Sequence, residues 1–355
     1  PIYYLGEYMR NPVNSGEVNA TNARYTLGYS ALRQEDYTNA QKYFEAITTS
    51  LSASSTPLEQ DAYARSADCY FMKKNYSKAM QMFDNILSKN GKGADYALFQ
   101  KAIITGASGQ YAQKITLLQS VPQRFPSSTL APDANMEIAN TYLATEKYDA
   151  AIPPLNDILK NKNAESLKPQ AYLKLGIAYY NQQNNNEALN NFKKLISGYP
   201  NSEESDAAVD YVRNIFIDNQ RPAEFVTFMK QNGKDVSYSE QDSLTYVSAN
   251  NVYENKSYDN ALSGFTNYLR QFPDGQYAID ANYKVAGIYN DRKDFKNALN
   301  YYNAVAAKAP NKYAETSVLQ AARICYFELK DYTKAEQYFQ QLKAIAVSDE
   351  NKLES

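Results

Sequence analysis

The apolar residues of this chain recur with helical spacing, in pairs of segments separated by a short polar break. Within residues 278–310, apolar or small residues form one face of a helix in each of two successive segments. These faces consist of Val285, Ala286 and Tyr289, and then of Ala298, Tyr302 and Val305. The pattern predicts two helices of about 14 residues joined by a turn. Such hairpins must stack, because one hairpin alone cannot bury its apolar face.

The same pattern returns about every 37 residues, which is typical of a stacked-repeat solenoid. In seven of the nine repeats a small residue occupies one position of the first helix, and in seven another occupies one position of the second. Short side chains there let helix axes approach closely. The nine first-helix positions are Gly28, Ala67, Ala102, Ala139, Gly176, Val212, Ala249, Ala286 and Arg323. The nine second-helix positions are Ala40, Ala79, Lys114, Ala151, Ala188, Glu224, Ala261, Ala298 and Ala335.

The period divides the chain into three parts. Residues 20–342 are predicted to form a solenoid of about nine repeats. Residues 1–19 are interpreted as a truncated helix of a preceding repeat with its connector, since the chain starts at Pro1 and not at Met. Residues 343–355 lose the periodicity and are interpreted as a tail or as the start of a further repeat.

These residues resemble the tetratricopeptide repeat family, whose helical hairpin carries small residues at the same positions. The residues that match it are Gly28, Ala40 and Phe44 in the first unit and Leu175, Gly176, Tyr179, Ala188, Phe192 and Pro200 in the fifth. The resemblance implies an all-α fold, a right-handed α-solenoid superhelix of about nine hairpins that binds proteins without catalysis. Connectors such as RFPSSTLAPDA and QFPDGQYAIDA are similar to those of Tol-Pal-associated and outer-membrane assembly lipoproteins.

Composition narrows the function classes. Histidine is absent, which removes His-dependent nucleophilic sites, His-ligated zinc and the commonest general base. Composition alone does not exclude a catalytic pair of carboxylates of the glycosidase type. On a helical solenoid, however, carboxylates are typical of solvent-exposed faces and helix caps. We therefore expect no enzyme, no cofactor and no metal. The net charge of −2 argues against nucleic acid as a partner.

Two further features of the sequence limit the possibilities. No apolar stretch approaches the roughly 18 residues of a membrane helix. Cys69 and Cys325 occupy the same position in units separated by seven hairpins, so we expect two buried thiols and no disulfide.

In the family that this chain resembles, the first helices line the concave surface. Position by position, that resemblance implies a partner-binding groove rich in Tyr and Phe, which offer large contact areas with few rotatable bonds. The predicted groove residues are Tyr25, Tyr29, Asp68, Phe71, Phe99, Asn140, Leu173, Tyr180, Arg213, Phe216, Tyr246, Asn250, Tyr253, Tyr283, Asn290 and Phe327. This composition suits an extended peptide or a helix laid along the groove.

Three functional hypotheses follow. The first is a non-catalytic scaffold in a bacterial cell envelope, periplasmic or outer-membrane-associated, that binds a protein or peptide partner along the groove. The second is an envelope module that binds glycan or peptidoglycan, with tyrosines stacked on sugar rings. The third is a cytoplasmic regulatory adaptor. The sequence leaves the identity of the partner and the oligomeric state open.

Overall fold

A computed structural model of the chain describes residues 2–10, 19–347 and 351–352. Over these residues the fold is an all-α helical-repeat solenoid of nineteen α-helices without a β-strand, as the apolar period predicts. The chain forms two compact units, Pro1–Ala188 and Leu189–Ser355. None of the described helices combines the length and the hydropathy that a membrane span needs.

The first unit contains four consecutive hairpins. Its helices are α1 (Ile2–Arg10), α2 (Ala20–Arg33), α3 (Tyr37–Glu45), α4 (Pro57–Met72), α5 (Tyr76–Lys89), α6 (Ala94–Ala107), α7 (Tyr111–Arg124), α8 (Ala131–Ala144), α9 (Tyr148–Lys160) and α10 (Lys168–Asn181). A 3₁₀ turn, Glu165–Leu167, precedes α10, and helix α11 (Asn185–Gly198) spans the boundary between the units. The even-numbered helices are the first helices of the predicted repeats.

The second unit also contains four hairpins. They are built from α12 (Glu203–Asp218), α13 (Pro222–Gln231), α14 (Tyr238–Glu254), α15 (Tyr258–Gln271), α16 (Ala278–Asp291), α17 (Phe295–Ala306), α18 (Ala314–Arg323) and α19 (Tyr332–Ile345). Between α18 and α19 lies a π-helical turn, Ile324–Glu328.

Each hairpin turn contains one residue with a left-handed backbone, placed two residues before the second helix. The nine residues are Glu35, Lys74, Gly109, Glu146, Gln183, Gln220, Lys256, Lys293 and Lys330. Only one of them is glycine, although glycine is the residue that adopts positive φ without steric cost. The turns are therefore held in place by the packing of the helices on either side.

The predicted small sites are contact points between the paired helices. A Cβ atom added to Gly28 in α2 would lie 2.7 Å from the ring of Phe44 in α3, closer than real side chains come. Phe44 follows Ala40 by one helical turn, and both are fully buried. Phe83 and Phe265 stand in the same relation to Ala79 and Ala261, so these three hairpins each bury one large side chain beside a small one.

The ninth repeat departs from the predicted register by one residue. The backbone N–H of Asp331 donates to the carbonyl oxygen of Cys325, six residues earlier, at 2.9 Å. The equivalent hydrogen bond of the preceding repeat, from Asp294 to Tyr289, spans five residues. The π-helical turn absorbs the additional residue, which is how single-residue insertions are accommodated in helices.

This shift corrects two assignments made from the spacing. Ala322, whose exposure is 0 %, takes the small site of the ninth repeat, and Arg323 lies one position beyond it. Tyr326 therefore contacts the turn residue Tyr332, with ring centroids 5.3 Å apart, in the place that the spacing gave to Phe327. Phe327 is instead 58 % exposed.

Candidate functional site

A cavity of the first unit lies where the N-terminal halves of α4 and α6 meet α2. Its volume is about 650 Å³. The lining residues are Tyr25, Pro57, Leu58, Gln60, Asp61, Ala64, Arg65, Ile86, Lys92, Gly93, Asp95 and Tyr96. Apart from Ile86 of α5 and the loop residues Lys92 and Gly93, all of them belong to first helices. The site thus lies on the set of helices in which the groove was predicted.

One wall of the cavity is a set of hydrogen bonds between α2 and α4. The hydroxyl groups of Tyr25 and Tyr29 both donate to Asp61 Oδ2, at 2.8 and 2.7 Å. The other carboxylate oxygen of Asp61 lies 3.5 Å from Arg65 Nε, one turn along α4. Asp61 thereby fixes both phenols and the start of the Arg65 side chain in one arrangement.

A second wall joins α4 to α6 through Arg65. Its Nη1 atom donates to Asp68 and to the hydroxyl oxygen of Tyr96, and the second of these bonds is 2.9 Å long. The Tyr96 hydroxyl in turn donates to Asp68 at 2.9 Å, while Gln100 donates to Tyr96 at 2.7 Å. The guanidinium also lies over the Tyr96 ring, 4.5 Å from its centroid.

The protonation equilibria of this cluster reflect its burial. Burial raises the pKa of the Asp68 carboxyl to about 6, although Arg65 and the hydrogen bond from Tyr96 oppose the shift. Burial by itself lowers the pKa of the Arg65 guanidinium. The neighbouring Asp68, Tyr96 and Asp61 raise this pKa by more, so the guanidinium stays charged. Burial and the charge of Asp68 raise the pKa of Tyr96. Two carboxylates therefore share one guanidinium.

In parts of the second unit, tyrosine pairs occupy two positions that lie between successive first helices. Tyr246, three residues before the small site of α14, stacks on Tyr277 with ring centroids 4.3 Å apart. Tyr283, at the same position of α16, stacks on Tyr313 with the same separation. In both pairs the second tyrosine comes nine residues before the small site of the next first helix. A stacked pair thus fills the space between successive first helices.

Between α4 and α6 of the first unit, small residues stand at these two positions. Ala64 lies three residues before Ala67 in α4, and Gly93 lies nine residues before Ala102 of α6. Both line the cavity. Gly93 has φ of +83°, a left-handed conformation that favours glycine, and a Cβ atom there would meet no neighbour within 4 Å. The two aromatic rings that fill the equivalent space on either side of α16 are thus missing between α4 and α6, and Arg65 and its hydrogen-bond partners line the cavity there.

The corresponding polar cluster of the second unit has its own acid and cation. Tyr246 and Tyr313 donate to Asp280, and Lys284, one turn along α16, lies 3.1 Å from the same carboxylate. Lys284 also donates to Asn250 of α14. The arrangement repeats that of Asp61 and its neighbours, but here the hydroxyl of Tyr313 comes from the connector and occupies the space.

Charge at the cavity is unevenly compensated. Asp95 accepts a hydrogen bond from the Ser128 hydroxyl at 2.6 Å, and no cation among the described residues pairs with it. Lys92 is solvent-exposed on the α5–α6 loop and likewise has no ion partner in the described part of the chain. Within residues 2–10, 19–347 and 351–352, no three acidic or thiol side chains are grouped closely enough to hold a metal ion.

The structure gathers some of the predicted groove residues and separates others. Tyr25, Tyr29 and Asp68 belong to the network around Arg65. Elsewhere in the first unit Phe71 packs against Tyr76 at 5.8 Å. The remaining predicted residues of this unit are half-buried and form no cluster with the cavity: Phe99, Asn140, Leu173 and Tyr180.

In the second unit two predicted groove residues are buried. Phe216 is 1 % exposed and packs against Phe225, and Tyr246 is 8 % exposed within its stack. The rings of Phe216 and Tyr246 pack inside the hairpins against neighbouring aromatic rings. Neither ring is therefore accessible to a partner. Arg213 forms ion pairs with Asp210 and Glu240. The others are half-buried: Asn250, Tyr253, Tyr283 and Asn290.

The sequence interpretation missed Asp61, Arg65 and Tyr96, the centre of the site. These residues lie six or two positions before the small site, outside the positions that the family resemblance assigns to the groove. A signal was present, since an acid followed four residues later by a cation occurs at these positions in α4 and, as Asp280 and Lys284, in α16.

Comparison with known proteins gives the family context. One family model described as tetratricopeptide repeat matches residues 25–95, and a second with the same description matches residues 170–202 and 318–345. The first match includes nearly all of the cavity lining. No curated protein matches the chain.

Several solved structures are similar to this chain at low identity. The crystal structure of MamA is 18 % identical, with 47 % of this chain and 91 % of that chain covered and a TM-score of 0.38. A tetratricopeptide repeat protein from Parabacteroides merdae is 13 % identical, with coverages of 74 % and 96 % and a TM-score of 0.41. YrrB, a protein of the same repeat type with an unusual peptide-binding site, is 13 % identical, with coverages of 59 % and 100 % and a TM-score of 0.37. The two family models support a tetratricopeptide repeat assignment for the segments that they match.

Proposed function

We propose that this chain is a non-catalytic scaffold that binds a peptide segment of a partner protein in the cavity between α2, α4 and α6. The repeat architecture supports a protein–protein interaction scaffold in general. The observation that carries the specific proposal is that Ala64 and Gly93, which both line the cavity, stand where the repeats around α16 have stacked tyrosine pairs. A concave site with apolar walls and a few fixed polar groups is the usual form of a ligand site.

The walls of the cavity are organised before any ligand binds. Asp61, Arg65 and Tyr96 are held by one another and by neighbours on three first helices. Little side-chain entropy is then lost on binding, which favours affinity. The same mutual saturation supports binding over catalysis, because the carboxylate of Asp68 and the phenol of Tyr96 are engaged with each other and with Arg65.

The glycan hypothesis receives less support from the geometry. Sugar binding needs exposed aromatic faces, whereas Tyr246 and Tyr283 have stacked neighbours at 4.3 Å. Tyr25 uses its hydroxyl to bond Asp61 and packs edge-on against Tyr29 at 4.9 Å. These rings stabilise the contacts between repeats, and a peptide is the better fit to the cavity.

The binding site is tested by filling the cavity. A library of end-blocked octapeptides is screened against the protein, and the affinity of the best binder is measured by fluorescence polarisation. Ala64→Tyr restores the ring that Tyr246 and Tyr283 supply elsewhere, and it is expected to weaken binding at least about tenfold, or about 1.4 kcal/mol. Ala144→Tyr, an exposed position at the end of α8, is the matched control.

Folding of the variants is checked by circular dichroism and thermal melting. Ala64→Leu, which fills less of the cavity, serves as the second variant if the tyrosine is not accommodated. Saturable binding that neither Ala64 variant weakens contradicts the assignment of the site. Absence of any saturable peptide binding contradicts the proposed function itself.

We also propose a bacterial envelope location, periplasmic or at the outer membrane. Its support is the similarity of connectors such as RFPSSTLAPDA to those of envelope repeat proteins. Fractionation of the native cells, with an antibody against this chain, is expected to recover it with periplasmic or outer-membrane markers. Recovery with cytosolic markers contradicts this location and favours the adaptor hypothesis.

A further inference from the structure

Resting on the proposed function, we propose that the partner peptide inserts a lysine or arginine side chain into the cavity, between Asp61 and Asp95 and along the apolar wall formed by Leu58, Ala64 and Ile86. Three properties of the described residues support a cationic side chain: the balance of charge, the shape of the lining, and the hydrogen bonds that Arg65 already makes.

The balance of charge around the cavity is negative. Arg65 is shared between Asp61 and Asp68, so its single charge compensates one of two carboxylates. Asp95 adds a third carboxylate, held by the Ser128 hydroxyl and by no cation of the described chain. Lys92 offsets one charge from an exposed loop, where solvent screens it. One negative charge among these groups therefore remains uncompensated.

The lining suits a long side chain that ends in a cation. Leu58, Ala64 and Ile86 provide apolar surface for methylene groups, while Asp61 and Asp95 line the same cavity and give it the negative charge that attracts the charged head. A cavity of about 650 Å³ accepts such a side chain together with part of the backbone that carries it. A bare metal ion fits less well, because no three acidic side chains of the described residues are grouped for coordination.

An anionic ligand finds few free partners. Arg65 Nη1 already donates to Asp68 and Tyr96, and the guanidinium face is covered by the Tyr96 ring. The positive end of the α6 helix dipole points toward the cavity, but Asp95 already occupies its first turn. Lys92, the other cation of the lining, lies exposed on the α5–α6 loop.

The test uses four pooled libraries of end-blocked octapeptides, with Lys, norleucine, Gln or Glu fixed at one central position and the neighbours randomised. Blocked ends exclude recognition of a terminal amine, and norleucine has the length of lysine without its charge. Polarisation titrations are expected to show at least tenfold tighter binding of the Lys pool than of the norleucine pool. Asp61→Asn and Asp95→Asn are each expected to reduce this preference to less than threefold.

Two variants sharpen the assignment. Asp133→Asn removes an exposed carboxylate from the first turn of α8, outside the cavity, and is expected to retain the tenfold preference. Lys92→Gln removes a charge that repels the ligand, and is expected to tighten binding of the Lys pool. Weaker binding by Lys92→Gln contradicts the proposal, because it indicates an anionic ligand.

The remaining outcomes distinguish the cationic side chain from peptide binding in general. Equal binding of the Lys and norleucine pools, or a preference for the Glu pool, overturns the cationic assignment and leaves peptide binding intact. Binding of no pool overturns the proposed function and this inference with it. If spermidine competes as strongly as a Lys peptide, the cavity takes a free polyamine, and the assignment to a peptide side chain is wrong.

Discussion

At the residue scale, the most consequential group is Asp68, a buried carboxyl whose pKa is raised to about 6. It faces Arg65 and Asp61 on its own helix and Tyr96 on α6. Because the folded pKa exceeds the ordinary value of 3.8, the folded state holds this proton more tightly than the unfolded state. The resulting stabilisation is fully present below about pH 4 and is lost as the pH rises through about 6.

We predict that Asp68→Asn removes this pH dependence. In the wild type, the group lowers the free energy of unfolding by roughly 2–3 kcal/mol between pH 4 and pH 7. Urea unfolding of both proteins across this range should show the variant gaining stability relative to the wild type as the pH rises. Parallel curves would contradict the raised pKa, and Asp133→Asn, which alters an exposed carboxylate, controls for a general effect of charge.

A second residue-scale prediction concerns two helical glycines in different surroundings. Gly28→Ala places a methyl group against the Phe44 ring, and we expect a loss of about 1–3 kcal/mol in the free energy of unfolding. Gly287→Ala, in α16, meets no neighbour within 4 Å and should stabilise by about 0.5–1 kcal/mol through its helix propensity. Thermal melts of the two variants should shift in opposite directions. A shift in the same direction contradicts the close approach at Gly28.

At the element scale, the turns are uniform in conformation and varied in sequence. Lys293 has φ of +60° in the α16–α17 turn, where glycine would be unstrained. We predict that Lys293→Gly is more stable than Lys293→Ala by about 0.5–1 kcal/mol, because both lose the long side chain and only alanine keeps the steric cost. Urea midpoints measure the difference, and an equal or lower midpoint for the glycine variant contradicts the left-handed turn.

The helices and turns also show how far the sequence predicts the fold. Apolar spacing around Ala286 and Ala298 predicts α16 and α17, because burial dictates which face carries small residues. The register of the last repeat could not be predicted in this way. An equally spaced alignment puts Arg323 at the small site, and only the backbone bond from Asp331 to Cys325 reveals the additional residue.

The candidate site was predicted only in part for a related reason. Tyr25, Tyr29 and Asp68 were named from the positions that line the groove in the family. Arg65 lies at a position where most other repeats have no cation, and its importance comes from Tyr96 on the next first helix. Such a contact depends on how two repeats pack, which the spacing within one repeat does not specify.

At the scale of the whole molecule, the same repeat leaves the space between successive first helices filled in one place and open in another. In the second unit the stacked pairs Tyr246–Tyr277 and Tyr283–Tyr313 lie between successive first helices, and Asp280 accepts hydrogen bonds from one tyrosine of each pair. In the first unit the same positions hold Ala64 and Gly93, and a cavity remains. The repeats therefore supply a stable frame, and the small deviations from their pattern create the site. All residues of the site lie within the first compact unit.

The central claim, that the cavity between α2, α4 and α6 binds a peptide, is tested most directly by hydrogen–deuterium exchange with and without the tightest library peptide. Exchange slows where a ligand stabilises the folded backbone. The account predicts protection concentrated in the N-terminal halves of α4 and α6 and in the loop that carries Lys92 and Gly93. Protection confined to residues 189–347, with none at α4 or α6, would contradict it.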